Sequence, residues 1–181
     1  MHIRADIFSC CDDKNDLKAE WTSSFRNIQT LLVAITNLPK PSIKKLASFY
    51  SSNDSIYKNE TIEPSEISTL LLCEYGIFTK NSLLVMYPGS WVGDRTCKDM
   101  YSDSTFNYMQ FLSMLAETRY PVIIHSGGKS YIIIDIIKSK YTASLLIGDP
   151  LVKCKTKRKF WVSANDFLTV NNAWMCLFID E

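Results

Sequence analysis

Apolar residues recur at three- and four-residue steps through SSFRNIQTLLVAITNL: Phe25, Ile28, Leu31, Leu32 and Ile35 share one helical face. The spacing predicts a helix entered at Thr22 to Ser24 and stopped before Pro39. Next, Pro41 stands ahead of Ile43, Leu46, Phe49 and Tyr50 and predicts a proline-started short helix. Beyond the polar loop SSNDSIYKNETIE, the run PSEISTLLLCEYGIF reads as a third helix, with Pro64 in its first turn and Gly76 as its stop. SLLVMYPG, short, apolar and closed by Pro88-Gly89, predicts a strand, and STFNYMQFLSMLAE a fourth helix. From Pro121 the pattern changes. PVIIH, KSYIIIDII, ASLLIGDP and AWMCLFID are short apolar runs divided by turn residues, and each predicts a strand. Helices come first and strands later, so the predicted class is α+β.

Composition narrows the picture without redirecting it. The 181 residues are 46% hydrophobic and 12% aromatic, enough for a sizeable core, and a single domain over 1–181 is expected. Twenty Lys and Arg residues stand against nineteen Asp and Glu, so no global charge draws the chain to nucleic acid or to a membrane surface. No apolar run reaches the roughly 18 residues of a membrane span, and MHIRADIFSC lacks the order of a secretory signal. A cytoplasmic or nuclear location is therefore expected, and the sequons at Asn53 and Asn59 carry no weight. The cysteines (Cys10, Cys11, Cys73, Cys97, Cys154 and Cys176) form no C-x-x-C pair, and His2 and His125 are the only histidines, so neither a metal nor another cofactor is expected.

Four stretches compete for chemistry. SGGKS, residues 126–130, has Ile123 where a phosphate loop needs its first glycine and leads into YIIIDI, so a tight hairpin turn is the better reading. KCKTKRK places Lys153, Lys155, Lys157, Arg158 and Lys159 within seven positions, a solvated basic loop or a patch for an acidic partner. In IGDP, Asp149 ends an apolar strand as an ordinary turn opener. The fourth stretch is WTSSFRNIQ, where Thr22, Ser23 and Ser24 are most simply helix caps. A helix N-terminus also stabilises an anionic nucleophile, so the hydroxyl string admits a second reading.

WTSSFRNIQTLL resembles the tryptophan-glycine-cysteine-glycine-tyrosine-arginine-(asparagine or serine)-x-glutamine segment of the Ufm-specific cysteine proteases. Trp21, Arg26, Asn27 and Gln29 match it, Ser23 falls on the catalytic cysteine, and Thr22 and Ser24 fall on the two glycines. FSCCDD is similar to the family's aromatic-cysteine-aspartate stretch, and SEISTLLLCEYGIFTKNSLLVMYPGS to its middle helix and following strand. PVIIHSGGKSYIIIDI lines up without a gap on its glycine-turn and histidine-strand segment, and LLIGDP on the strand that ends in aspartate-proline-histidine. WVGD, residues 91–94, lies too far along to be the family's tryptophan-isoleucine-glycine motif, so Trp91 is a departure. The resemblance implies a papain-like fold, its N-terminal helices packed on a C-terminal, mostly antiparallel sheet.

The resemblance also implies a thiol, an imidazole and an orienting carboxylate. Only Asp149 is kept: the cysteine is Ser23, and the histidine positions hold Tyr131 and Leu151. A serine hydroxyl without a base is a poor nucleophile. The expectation is a catalytically inactive pseudo-protease that binds a ubiquitin-like modifier or another protein partner, with Trp21, Ser24, Arg26, Gln29 and His125 as groove candidates. Two alternatives stay open. One is an active thiol protease whose nucleophile has been replaced by serine, with His125 as its base. The other is an adaptor that docks an acidic surface or nucleic acid through the basic stretch 153–159.

Overall fold

The computed structural model describes residues 21–36, 39–50, 62–85, 105–106, 108–139, 142–152, 158–168 and 173–180. Five helices and seven strands are found there: α1 (Thr22–Ile35), α2 (Ile43–Ser48), α3 (Pro64–Tyr75), β1 (Thr79–Val85), β2 (Thr105–Phe106), α4 (Tyr108–Glu117), β3 (Val122–Ser126), β4 (Lys129–Lys138), β5 (Ala143–Gly148), β6 (Lys159–Ser163), α5 (Ala164–Phe167) and β7 (Ala173–Ile179). The strands form one sheet in the order β2-β1-β7-β3-β4-β5-β6. Every pairing is antiparallel except the short parallel contact of β1 with β2. The α+β class is what the patterning predicts, and N-terminal helices on a mostly antiparallel sheet are what the resemblance implies.

Both faces of this sheet are covered. On one face Phe25, Ile28, Leu31, Leu46, Ile67, Leu70 and Leu71 of α1, α2 and α3 pack on Ile123, Ile132, Ile134 and Leu177. On the other, Phe111, Leu112 and Leu115 of α4 meet Val122, Ile124, Ile133, Cys176 and Phe178. Successive residues of a strand point to opposite faces, so β3, β4 and β7 need apolar side chains at nearly every position. That is why their sequences run as unbroken apolar blocks. Each such fully buried aliphatic or aromatic side chain contributes roughly 1.5–3 kcal/mol.

Local signals set the helix ends with two exceptions. Gly76 closes α3 in the left-handed conformation, φ 66°, which costs a residue without Cβ nothing, and a Glu63–Glu66 capping box opens the helix just before Pro64. In α2, however, the cap is Ser42, whose hydroxyl accepts from Lys45 N–H at 3.1 Å, and Pro41 lies outside the helix. In α1 the expected hydroxyls do not hold the N-cap position: Trp21 does, and its side chain makes no cap hydrogen bond. Every residue from Thr22 to Leu32 is buried, so the first turn of α1 lies inside the protein, where its hydroxyls have other partners to find.

Three further differences concern element identity. Thr105–Phe106 pairs with β1, so α4 begins only at Tyr108. The end of KCKTKRK enters β6, which continues into the single-turn helix α5. β1 starts at Thr79, ahead of the apolar run that predicted it. No described helix is long and apolar enough to cross a membrane.

Candidate functional site

The β3–β4 hairpin turns through Gly127 and Gly128, with φ of 55° and 76°, and so puts two positive-φ residues between Ser126 and Lys129, the signature of a two-residue hairpin loop. SGGKS is therefore a tight turn, not a phosphate loop. Its far side delivers Ser130 and Tyr131 to the start of β4. On the next strand the register pairs Ile132 with Gly148, so Tyr131 and Asp149, one step beyond, come together at the sheet's end. Ser23, in the first turn of α1, closes the third side.

Ser23, Tyr131, Asp149 and Leu151 line one partly open cavity of about 120 Å³, together with Gly128, Lys129 and Ser130. Positions separated by 128 residues of sequence thus meet in one place. The hairpin residues Gly128, Lys129 and Ser130 are an addition that the sequence reading missed. Their signal was present, because the glycine turn immediately precedes Tyr131, but a turn reading assigns residues to a conformation and not to a cavity wall.

Each of these groups has a definite environment. The Ser23 side chain is buried at 2% exposure, and its Oγ has no hydrogen-bond partner among the described residues. Asp149 Oδ1 accepts from Leu151 N–H at 3.0 Å, a turn in which the carboxylate is held by its own backbone. Asp149 N–H in turn donates to Arg158 O at 2.9 Å. The Tyr131 phenol is pushed above its ordinary value, first by burial and second by the negative charge of Asp149, so it keeps its proton. Its ring sits edge-on to Phe167 at 5.4 Å, and Phe167 stacks on Trp174 at 5.3 Å. Leu151, half-buried, is aliphatic and moves no proton.

His125 is elsewhere. It is 4% exposed and lies on β3 opposite Ser130, on the face that carries α1 and α3. Its Nε2 stands 3.5 Å from Glu63 Oε1 at the start of α3. Nδ1 has no partner among the described residues, and the ring is absent from the lining of the Ser23 cavity. Burial lowers its affinity for a proton, and the nearby Glu63 charge offsets this in part. An imidazole turned toward Glu63 in the interior is a structural pair.

The other groove candidates are corrected in the same way. Ser24 donates to Ile62 O at 3.1 Å, Gln29 to Pro41 O at 2.6 Å, and Arg26 is 1% exposed, so all three sit in the interior and not on a groove wall. The motif holds α1 in place by filling polar sites around a buried helix. Trp21 alone of this group is half-buried, packed edge-on against Phe25 at 5.8 Å. Of the basic stretch, Lys153, Lys155 and Lys157 lie outside the described residues. Arg158 does not join a solvated patch: it is 7% exposed, and its Nε donates to Val152 O at 3.0 Å, bracing the turn that carries Asp149. Lys159 is half-buried in β6. Trp91 and His2 also lie outside the described residues, and among those described no group of His, Cys, Asp and Glu side chains is placed to hold a metal.

No protein-family profile matches this sequence, and no curated protein matches it. Among solved structures the fold resembles that of UfSP from C. elegans, with a TM-score of 0.66 at 16% identity over 96% of this chain. The chain spans about a third of that protein's length, 32%. The fold is thus like that of UfSP, papain-like in arrangement.

Proposed function

We propose that this chain is a catalytically inactive relative of the Ufm-specific proteases, a pseudo-protease that holds a protein tail against the cavity at the N-terminus of α1. The observation that carries the reading is the convergence of Ser23, Tyr131, Asp149 and Leu151 on one cavity. These are the four positions at which the resemblance puts the thiol, the two histidines and the aspartate. The scaffold is retained and the proton-transfer groups are replaced.

The chemistry follows from the replacements. Acyl transfer at an amide needs a nucleophile whose proton is taken up as the bond forms and then handed to the leaving nitrogen. Ser23 supplies an un-ionised hydroxyl, and no imidazole stands among the described lining residues. Tyr131 holds its proton, Leu151 has none to exchange, and Asp149 is engaged by the Leu151 amide. An active thiol protease that lost only its sulfur would still keep its base at the cavity, which argues against the enzyme reading.

Binding does not require the relay, because tail affinity comes from surface and pocket contacts. The partner that the resemblance favours is a ubiquitin-like modifier, whose extended C-terminal tail would reach the cavity. Titration of the ubiquitin-fold modifier into the protein, with a parallel assay for cleavage of a modifier-linked reporter, tests the reading. Saturable binding without turnover supports it, and turnover by the natural chain overturns it.

A further inference from the structure

We propose that the cavity at the α1 N-terminus takes the free C-terminal carboxylate of a protein tail, so that the site holds a finished chain end and not a peptide bond. This rests on the tail-holding reading above and specifies the ligand chemistry of the same site. Of the described residues that line the cavity, most carry hydrogen-bond donors or a positive charge. α1 is fourteen residues long, carries no acidic residue in its first turn, and its N-cap residue Trp21 supplies no side-chain cap. Its amide end therefore retains the partial positive charge that binds anions.

Ser23 adds an independent observation. It belongs to that first turn, lines the cavity and is 2% exposed, and its hydroxyl has no partner among the described residues. A buried hydroxyl without a partner is costly, and an acceptor brought by a ligand removes that cost. Lys129, exposed on the hairpin rim, contributes a full positive charge, and the protonated Tyr131 contributes a further O–H on the same wall. Asp149 is the opposing charge on this wall, and its Oδ1 is occupied by Leu151 N–H.

Size points the same way. A cavity of about 120 Å³ has room for a small terminal residue with its carboxylate. Leu151 gives that residue one apolar wall. A donor-lined pocket of this size recognises an anionic terminus better than a neutral amide, because charge-assisted hydrogen bonds are about twice as strong as neutral ones.

The test is calorimetric titration of the full chain with the ubiquitin-fold modifier in two forms, one ending in a free carboxylate and one in a C-terminal amide. The free acid is expected to bind at least tenfold tighter than the amide. In Lys129→Gln and in Ser23→Ala the difference is expected to shrink to about threefold or less. Equal binding of acid and amide by the natural chain overturns the carboxylate proposal and leaves the tail-holding reading standing. Binding of neither form overturns both.

Discussion

Asn27 and Ser130, 103 positions apart in the chain, are joined by a hydrogen bond of 2.9 Å from Asn27 Nδ2 to Ser130 Oγ. Asn27 stands one helical turn after Ser23, and Ser130 one residue before Tyr131, so this bond sets the distance between the two sides of the cavity. Both residues are buried, and water cannot replace the contact at no cost.

Truncating Asn27 to alanine should therefore cost about 1–3 kcal/mol, because the Ser130 hydroxyl is left buried without its donor. Chemical denaturation measures this. Ser130→Ala should cost a similar amount, and the double variant much less than the sum of the two. Additive losses would show that the bond does not couple the elements.

Stability should fall as the pH drops below neutrality, through His125. Burial depresses its folded-state proton affinity below the ordinary imidazole value of 6.5. The unfolded chain therefore takes up a proton at a pH where the folded chain resists it. The neutral ring's contribution is fully present above about 6.5 and is lost as the pH falls through the depressed folded value. Urea midpoints of the natural chain should decline between pH 7 and pH 5, and those of His125→Gln should decline less over the same window.

Thiol chemistry should separate two cysteines cleanly. Cys73 is exposed on α3, whereas Cys176 is fully buried in β7, where desolvation pushes its thiol far up. Thiolate is the reactive form, so iodoacetamide in the native state should label Cys73 and spare Cys176 until denaturant is added. Site-resolved mass spectrometry reads both, and native labelling of Cys176 at the rate of Cys73 would contradict the packing described for β7.

Much of this arrangement was legible in the chain because its strongest signals are local. Helical spacing marked α1 and α3, glycine marked the end of α3 and the hairpin turn, and apolar blocks marked β3, β4, β5 and β7. The positions that meet at the cavity were reached through motif order, which survives when individual identities do not. What escaped depends on tertiary context. Ser23 and Ser24 look like caps until the whole first turn is buried, and Arg26 and Gln29 look like surface groups until the same burial turns them inward. Arg158 reads as part of a charged run, yet its guanidinium folds onto Val152 O. β2, with two residues, and β6, with the half-apolar sequence KFWVS, exist through their pairing partners and leave no periodicity to find.

Central to the account is that no imidazole stands among the described residues that line the cavity, and that Leu151 occupies the position where the resemblance puts one. The direct measurement is hydrolysis of a modifier-linked fluorogenic amide by Ser23→Cys and by Ser23→Cys/Leu151→His, with the natural chain alongside. The account predicts no turnover by the natural chain or by the single variant, and measurable turnover once both sulfur and imidazole are present. Turnover by Ser23→Cys equal to that of the double variant, and abolished by His125→Ala, would contradict it.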